Sequence, residues 1–260
     1  MKKMFNTLFI DLGRSFGTLN FYVTLLSVCV IYYMGAWSEL GTAKDILLLF
    51  KYSGEGSTFN MLMVMVCVLP YSTSFCSDWN SQNIRSCVIR TGCVKYCLSK
   101  VISCALSSGC AMMLGMVLFL ISLLPRLPLV SVRATNYEYF ATRTLAGEFL
   151  LQNQYIKYFL VYILLGFLTG ALWSIVGLFI SAYVPNKFVI ICGPFIIYYF
   201  LNLISYSFPI YLRLEKVYTG KCILGGTWTS LFYAVFLFIV LSVTVSILFT
   251  RSVKRRLANA

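Results

Sequence analysis

Side chains able to carry out chemistry are scarce in this sequence, and their types exclude most enzyme mechanisms. No histidine is present, which removes histidine-based catalytic triads, two-histidine metal sites and histidine proton relays. Ten cysteines occur, but most fall inside apolar runs, where a free cysteine behaves as a small hydrophobic residue. Cys87, Cys93 and Cys97 share a basic segment but lack CxxC spacing, so we expect no metal site there.

Charged side chains are absent from the cores of the apolar runs. Ionisable groups inside a membrane usually mark ion pathways or catalytic sites. Their absence argues against an ion-coupled transporter and against a metal-dependent membrane protease. The sequence also lacks GxxxxGK followed by Ser or Thr, so the chain has no P-loop of its own. We therefore expect no catalytic residue, no metal and no cofactor on this chain.

The composition indicates an all-α integral membrane protein. Of the 260 residues, 60% are hydrophobic and only 11% are charged, which lies far outside the soluble range. The net charge of +13 comes from bases in short segments between apolar runs, without an aromatic–basic RNA motif. These bases therefore predict membrane orientation and lipid contacts, and no nucleic-acid partner.

Six apolar runs predict six transmembrane helices with short connections, since each span needs about 20 apolar residues. The runs cover residues 17–37, 57–75, 99–124, 158–183, 188–208 and 228–250. Pro70 should kink the second span near its cytoplasmic end. The chain leaves no room for a further soluble domain, so residues 1–260 should form one transmembrane domain.

The N-terminal segment predicts an amphipathic helix lying in the inner membrane interface. Phe5, Leu8 and Phe9 begin an apolar pattern at helical spacing that continues to residue 16. Asp11 and Arg14 delay the first long apolar run, and no A-x-A-like cleavage site follows that run. We therefore expect this segment to be retained rather than cleaved as a signal peptide.

The charge pattern orients the spans. Asp11 and Asp78 are the acids expected inside, and the other six of the eight acids fall in predicted outside loops. The tail after residue 250 is strongly basic. Because cytoplasmic segments carry an excess of Lys and Arg, both termini should lie in the cytoplasm of a cell-membrane protein.

The basic segment 78–100 lies between the second and third runs and should be a structured cytoplasmic loop. Ser77 or Asp78 can cap a helix there. Ile84, Val88 and, less well aligned, Ile89 form a short apolar stripe at helical spacing, and Arg85 falls on another face. Two interpretations stay open: a solvated loop without a partner, and a short amphipathic helix that docks in a partner's groove.

The same segment carries a family resemblance. Asp78-Trp79-Asn80-Ser81, followed by Ile84-Arg85, by Ile89-Arg90 and by Lys95-Tyr96 through Ser99-Lys100, resembles the loop between the second and third spans of type-2 ATP-binding-cassette (ABC-2-like) permeases. In that family the loop holds a coupling helix that contacts a separate ATPase subunit. The resemblance implies a coupling interface made by Asp78, Trp79, Ile84, Arg85, Val88, Ile89 and Arg90.

The resemblance also implies partners and a function. ATP and Mg²⁺ would bind to the ATPase subunit, and a six-span chain would pair with a second permease chain, identical or similar. Family analogy suggests export of hydrophobic or amphipathic compounds such as peptides, drugs or lipids.

The fourth span carries small residues that allow another helix backbone to approach closely. These are Gly166, Gly170, Ser174 and Gly177. We expect them to pack within the bundle rather than to contact a substrate.

The fifth span is the most polar of the six. Its polar band comprises Tyr198, Tyr199, Asn202, Ser205 and Tyr206. This band predicts a dimer interface or a substrate path, although an asparagine in a span also serves to bond a neighbouring helix.

Two other function classes remain open from the sequence. One is a non-transporting membrane interaction subunit, such as an immunity or sensor partner. The other is a membrane enzyme that uses Ser, Tyr or Cys, which the lack of a visible base disfavours. Co-purification of an ATPase would separate the permease from both.

Overall fold

The computed structural model describes residues 2–56, 60–132, 137–223 and 225–259, and these residues are mostly helical, with no β-strand among them. The α-helices are α1 (Lys2–Gly17), α2 (Leu19–Ala36), α3 (Ile46–Lys51), α4 (Asn60–Val66), α5 (Ser74–Asn80), α6 (Asn83–Thr91), α7 (Cys93–Leu123), α8 (Tyr137–Arg143), α9 (Gly147–Leu151), α10 (Tyr155–Ser181), α11 (Lys187–Ser205), α12 (Leu214–Tyr218) and α13 (Thr227–Ala258).

Within the described ranges, five helical segments are long and apolar enough to cross a membrane. They are Leu19–Glu39, Cys93–Leu123, Tyr155–Ser181, Lys187–Ser205 and Thr227–Ala258. They correspond to five of the six predicted spans, so the prediction of an all-helical, multi-pass membrane protein is confirmed at that level. Helix α7 starts earlier and α13 ends later than predicted, because both helices continue into their basic flanking segments.

The predicted second span is interrupted rather than kinked. Helix α4 ends at Val66, four residues before Pro70, and α5 begins only at Ser74. Proline lacks an N–H and its ring clashes with the carbonyl four residues earlier, which explains the end of α4. Turns fill the gap, and Ser72 Oγ donates to the Ser174 carbonyl at 2.9 Å. Residues 57–59, the start of this predicted span, lie outside the described residues.

Helix α10 is the central helix of the bundle, and its small residues lie where neighbouring segments approach it. A Cβ added to Gly170 would lie 3.0 Å from the Ser108 carbonyl oxygen, and one added to Gly177 would lie 2.6 Å from Val68 Cγ1. Gly166 abuts the sulfur of Met116 in the same way. The α4–α5 connection and α7 therefore pack directly against this face.

Ser174 completes the contact between α10 and α7 through a hydrogen bond. Its hydroxyl donates to the Cys104 carbonyl of α7 at 3.2 Å and to its own helix at Ala171 at 2.8 Å. The structure thus places Gly166, Gly170 and Ser174 against α7, and Gly177 against the α4–α5 connection.

Helices α11 and α13 lie at the periphery. Only Ile190 and Pro194 are buried on α11, and the middle of α13 contains no buried residue between Ala234 and Phe249. Their outward faces are apolar, which suits contact with lipid or with another helix.

The two ends of the bundle differ in composition. Helices α1, α5 and α6, the start of α7 and the end of α13 gather at one end, which we call the basic end. Helices α3, α8, α9 and α12 gather at the other, which we call the cap end. Backbone hydrogen bonds join its loops, from Ile46 N to Pro128 O at 3.0 Å and from Leu145 N to Gly220 O at 2.9 Å.

Candidate functional site: the Lys100 cluster and the central cavity

A buried ion-pair cluster lies at the basic end. The Lys100 side chain is only 2% exposed, and its Nζ lies 3.1 Å from Asp11 Oδ1 and 3.0 Å from Asp78 Oδ2. Nζ also donates to the Tyr71 hydroxyl at 3.0 Å. One lysine therefore binds three groups, from α1, from the α4–α5 connection and from α5. We call these residues, with Tyr96 and Ser99, the Lys100 cluster.

Hydroxyl groups complete the hydrogen bonding of the two carboxylates. Asp11 accepts from Tyr71 and from Ser99, each at 2.6 Å, and Asp78 accepts from Tyr96 at 2.6 Å. A buried ion pair is tolerated only when its remaining donors and acceptors are satisfied in this way. The cluster therefore fastens the N-terminal helix and the segment before α6 to α7.

The sequence did not reveal this cluster. Lys100 lies at the start of the predicted third span, and the sequence predicts that Ser77 or Asp78 caps a helix. Instead Asp78 lies near the end of α5, and α6 is preceded by Gln82, which has a positive φ of 58° and makes no side-chain cap. The Asp11 and Lys100 partners are 89 residues apart in sequence, so no local pattern could join them.

Helix α6 exists as the sequence predicts, but its apolar stripe divides between two faces. Ile84 is 3% exposed and belongs to a buried hydrophobic cluster at the basic end that also includes Tyr71 and Phe75. Val88 packs partly against this hydrophobic cluster. Ile89 is 84% exposed. Because Ile84 and Val88 are four residues apart, they share one helix face, which Ile89 does not. The expectation that all three are available to a partner is therefore corrected.

Trp79 is also engaged within the chain. Its ring stacks on Phe75 with centroids 6.2 Å apart, and the Arg256 guanidinium lies 4.0 Å from its centroid. The outward surface of α6 is thus formed by Arg85, Ile89 and Arg90, which are exposed. These three residues are the part of the predicted coupling interface that a partner can reach.

A cavity of about 80 Å³ lies among α3, α4, α7, α10, α11 and α12. We call it the central cavity. Its apolar lining includes Met112 and Met116 of α7 and Trp173 of α10, and its cap-end lining includes Lys51 and Glu215. The combination of an aromatic and sulfur-rich wall with a few charged groups is typical of ligand sites.

Lys51 is buried in this lining, although the sequence placed it in an outside loop. It is 3% exposed, and its Nζ lies 3.5 Å from the centroid of the Tyr162 ring and 5.7 Å from that of Tyr158. A desolvated ammonium over an aromatic face gains cation–π energy. The Tyr162 hydroxyl donates to the Gly220 carbonyl at 2.9 Å, which fixes the ring under the ammonium.

Tyr218 of α12 closes the cap end of the same cavity. Burial raises the pKa of its hydroxyl well above the ordinary value, so the group stays neutral. It donates to the Ala234 carbonyl of α13 at 3.4 Å.

The polar band of the fifth predicted span divides between the inside and the outside of the bundle. Tyr198 lines the cavity and meets the Trp173 ring edge-on at 5.3 Å. Asn202 lies one turn further, and its Nδ2 is buried. Ser205 donates to the Asn202 carbonyl at 3.2 Å.

The two other members of the band, Tyr199 and Tyr206, point outward and are 50% and 78% exposed. The structure therefore brings Tyr198 of this band together with Gly166 of α10 at one cavity, a pairing that the sequence did not suggest.

The described residues contain no group of three or more His, Cys, Asp or Glu able to hold a metal ion. No protein-family model matches the chain, and neither the curated proteins nor the solved structures compared with it give a match. Two features therefore stand as the candidate site: the Lys100 cluster beneath α6, and the central cavity.

Proposed function

We propose that the protein is the membrane-spanning permease subunit of an ATP-driven exporter, energised by a separate ATPase subunit that binds ATP and Mg²⁺. One observation supports this most directly. The Lys100 cluster joins the segment that carries α6 to α7, and α7 also supplies Met112 and Met116 to the central cavity. A rigid helix thus connects the proposed coupling surface to the proposed substrate site.

The distance over which this connection acts follows from helix geometry. Lys100 and Met112 are twelve residues apart on α7, which corresponds to roughly 18 Å along the helix. If the ATPase displaced α5 and α6, α7 would transmit that movement to the cavity, because no flexible linker separates the two sites. The interruption between α4 and α5 supplies a place where the bundle can bend, as discontinuous helices do in transporters.

In this proposal the segment Asn60–Asn80 forms a sixth, broken crossing. It runs along α10 from the cavity, where Met63 lies, to the basic end, where Asp78 binds Lys100. Six crossings put both termini on the same side, and the basic residues at that end make it the cytoplasmic side.

The substrate class follows from the lining of the cavity. Methionine and aromatic side chains favour apolar groups, while Lys51 and Glu215 offer charges at one end. An amphipathic compound would satisfy both. The present volume of about 80 Å³ is far below the roughly 300 Å³ of a small-molecule pocket. In this proposal the bundle is in a closed state, which must open to admit an exported compound.

A second permease chain is part of the proposal. The exposed Tyr199 of α11 and Tyr206, the residue directly after that helix, offer amphipathic aromatic surface suited to such a contact. A homodimer or a heterodimer would use the same face.

Purification of the intact complex from its native membrane tests the function. The expected result is a co-purifying ATPase subunit and ATP hydrolysis that rises when the complex is reconstituted with an amphipathic substrate. A complex that contains no ATPase would refute the permease proposal. An ATP hydrolysis rate that no amphipathic compound changes would refute it as well.

The alternative is a non-transporting interaction subunit, such as an immunity or sensor partner. The small size of the closed cavity is the observation that favours it. Under this alternative the partner complex assembles, but filling the cavity with Thr169→Leu leaves its activity unchanged. Under the permease proposal the same substitution abolishes transport.

A further inference from the structure

A second concave surface lies on the side of the bundle, between α7 and α13 with α10 as its floor. This groove has a volume of about 670 Å³. Its walls are mainly apolar and include Leu98 and Leu106 of α7 and Phe238 and Ile247 of α13, while Ile175 of α10 contributes to the floor.

The groove exists because α13 is fully buried only near its two ends. Ala234 is buried near the cap end, and Phe249 and Val253 are buried at the basic end. Between Ala234 and Phe249 the helix has no fully buried residue, although Leu237 and Val245 pack partly against the core.

The length of the groove matches one membrane leaflet. Its lining on α7 extends from Val94 to Leu106 and on α13 from Lys254 to Phe238. These stretches correspond to roughly 18 and 24 Å of helix. Half of the hydrocarbon core is about 15 Å, so the groove covers one leaflet and its head-group zone. A full transmembrane helix of about 30 Å would collide with the contact at Ala234.

The basic end of the groove is positively charged. Arg251 and Lys254 line it there, both are exposed, and neither forms an ion pair within the described chain. Residues three apart on a helix have side chains about 5–6 Å from each other, which lets both reach one phosphate. No acidic side chain belongs to the described lining of the groove.

The polar side chains in the wall are already satisfied. Ser242, Ser246 and Thr250 each donate a hydrogen bond to a carbonyl of their own helix. They therefore require no water or partner backbone, and a hydrocarbon chain can lie against them without leaving a buried polar group unpaired.

We infer that this groove binds one anionic phospholipid from the leaflet at the basic end. Its phosphate lies between Arg251 and Lys254, and an acyl chain follows the apolar wall as far as Phe238. A zwitterionic lipid of the same chain length makes the same acyl-chain contacts with the apolar wall. It binds less tightly, because the two bases attract a head group with a negative net charge.

Native mass spectrometry of the purified protein with an equimolar mixture of phosphatidylglycerol and phosphatidylcholine tests this inference. We expect one retained phosphatidylglycerol per chain. The double variant Arg251→Gln with Lys254→Gln should lower its affinity roughly ten- to thirtyfold. The matched control is Lys95→Gln with Arg255→Gln, which removes the same charge at the same end but outside the groove lining, and which should change the affinity less than about twofold.

A photo-crosslinking residue placed at Ser246 identifies the occupant independently of charge. We expect an adduct with the mass of a phospholipid. An adduct to a second copy of the chain or to another protein would overturn the inference. Equal loss of phosphatidylglycerol in the double variant and its matched control, or no preference over phosphatidylcholine, would also overturn it.

Discussion

Replacing Lys100 by methionine tests whether the Lys100 cluster holds the basic end together. The change removes the positive charge that contacts Asp11 and Asp78 at 3.1 and 3.0 Å. Breaking a buried ion pair from one side costs about 3–5 kcal/mol, because the remaining charge is left without compensation. The Asp78 side chain is 21% exposed, and water therefore relieves part of that cost. We expect the free energy of unfolding to fall by about 3 kcal/mol.

Equilibrium unfolding of the purified protein in mixed micelles measures this loss. Lys95→Met is the matched control, because Lys95 is exposed on the same helix, and its effect should stay within about 0.5 kcal/mol. The triple variant Lys100→Met with Asp11→Asn and Asp78→Asn removes every charge of the cluster. It should be more stable than Lys100→Met alone, since no carboxylate is then left unpaired.

Unfolding of Lys100→Met at the same denaturant concentration as Lys95→Met would show that the Lys100 cluster does not stabilise the basic end. A triple variant no more stable than Lys100→Met would show that the cost comes from lost packing and not from unpaired charge.

Three further predictions concern the coupling surface, the cavity and the orientation of the chain. Ile84→Asp should destabilise the protein by at least about 1.5–3 kcal/mol, because Ile84 is buried within the chain. Ile89→Asp, at an exposed position, should leave the free energy of unfolding unchanged and reduce co-purification of the ATPase. The opposite pattern would show that Ile84, and not Ile89, contacts the ATPase. Tyr198→Ala should lower substrate-stimulated ATP hydrolysis, whereas Ile197→Ala, at an exposed position of the same helix outside the cavity lining, should not; equal effects would remove the cavity from the transport path. Cys222, which is exposed near the cap end, should react with a membrane-impermeant thiol reagent in intact cells, and labelling unaffected by Cys222→Ser would contradict the orientation.

The sequence predicted the long helices well because their signal is local. About 20 consecutive apolar residues suffice to indicate a span. The packing role of the small residues of α10 was equally predictable, because their side-chain volume and helical spacing are properties of the sequence itself.

The candidate site was predicted less completely because its contacts are long-range. Lys51 and Lys100 resemble ordinary loop or boundary bases in sequence, and only the fold shows that each is buried among aromatic side chains. The effect of Pro70 was likewise underestimated. A proline predicts a disturbed helix, but whether the helix bends or ends depends on neighbours such as Ser174.

The Lys100 cluster also constrains the order in which the protein is made. Asp11 and Lys100 are separated by 89 residues, and synthesis proceeds at about 5–20 residues per second. Lys100 therefore leaves the ribosome roughly 4–18 seconds after Asp11. During that interval the ionised Asp11 side chain of α1 must remain in water or at the membrane surface. A nascent chain stopped before residue 100 carries Asp11 and Asp78 without the ammonium group that neutralises both in the folded protein.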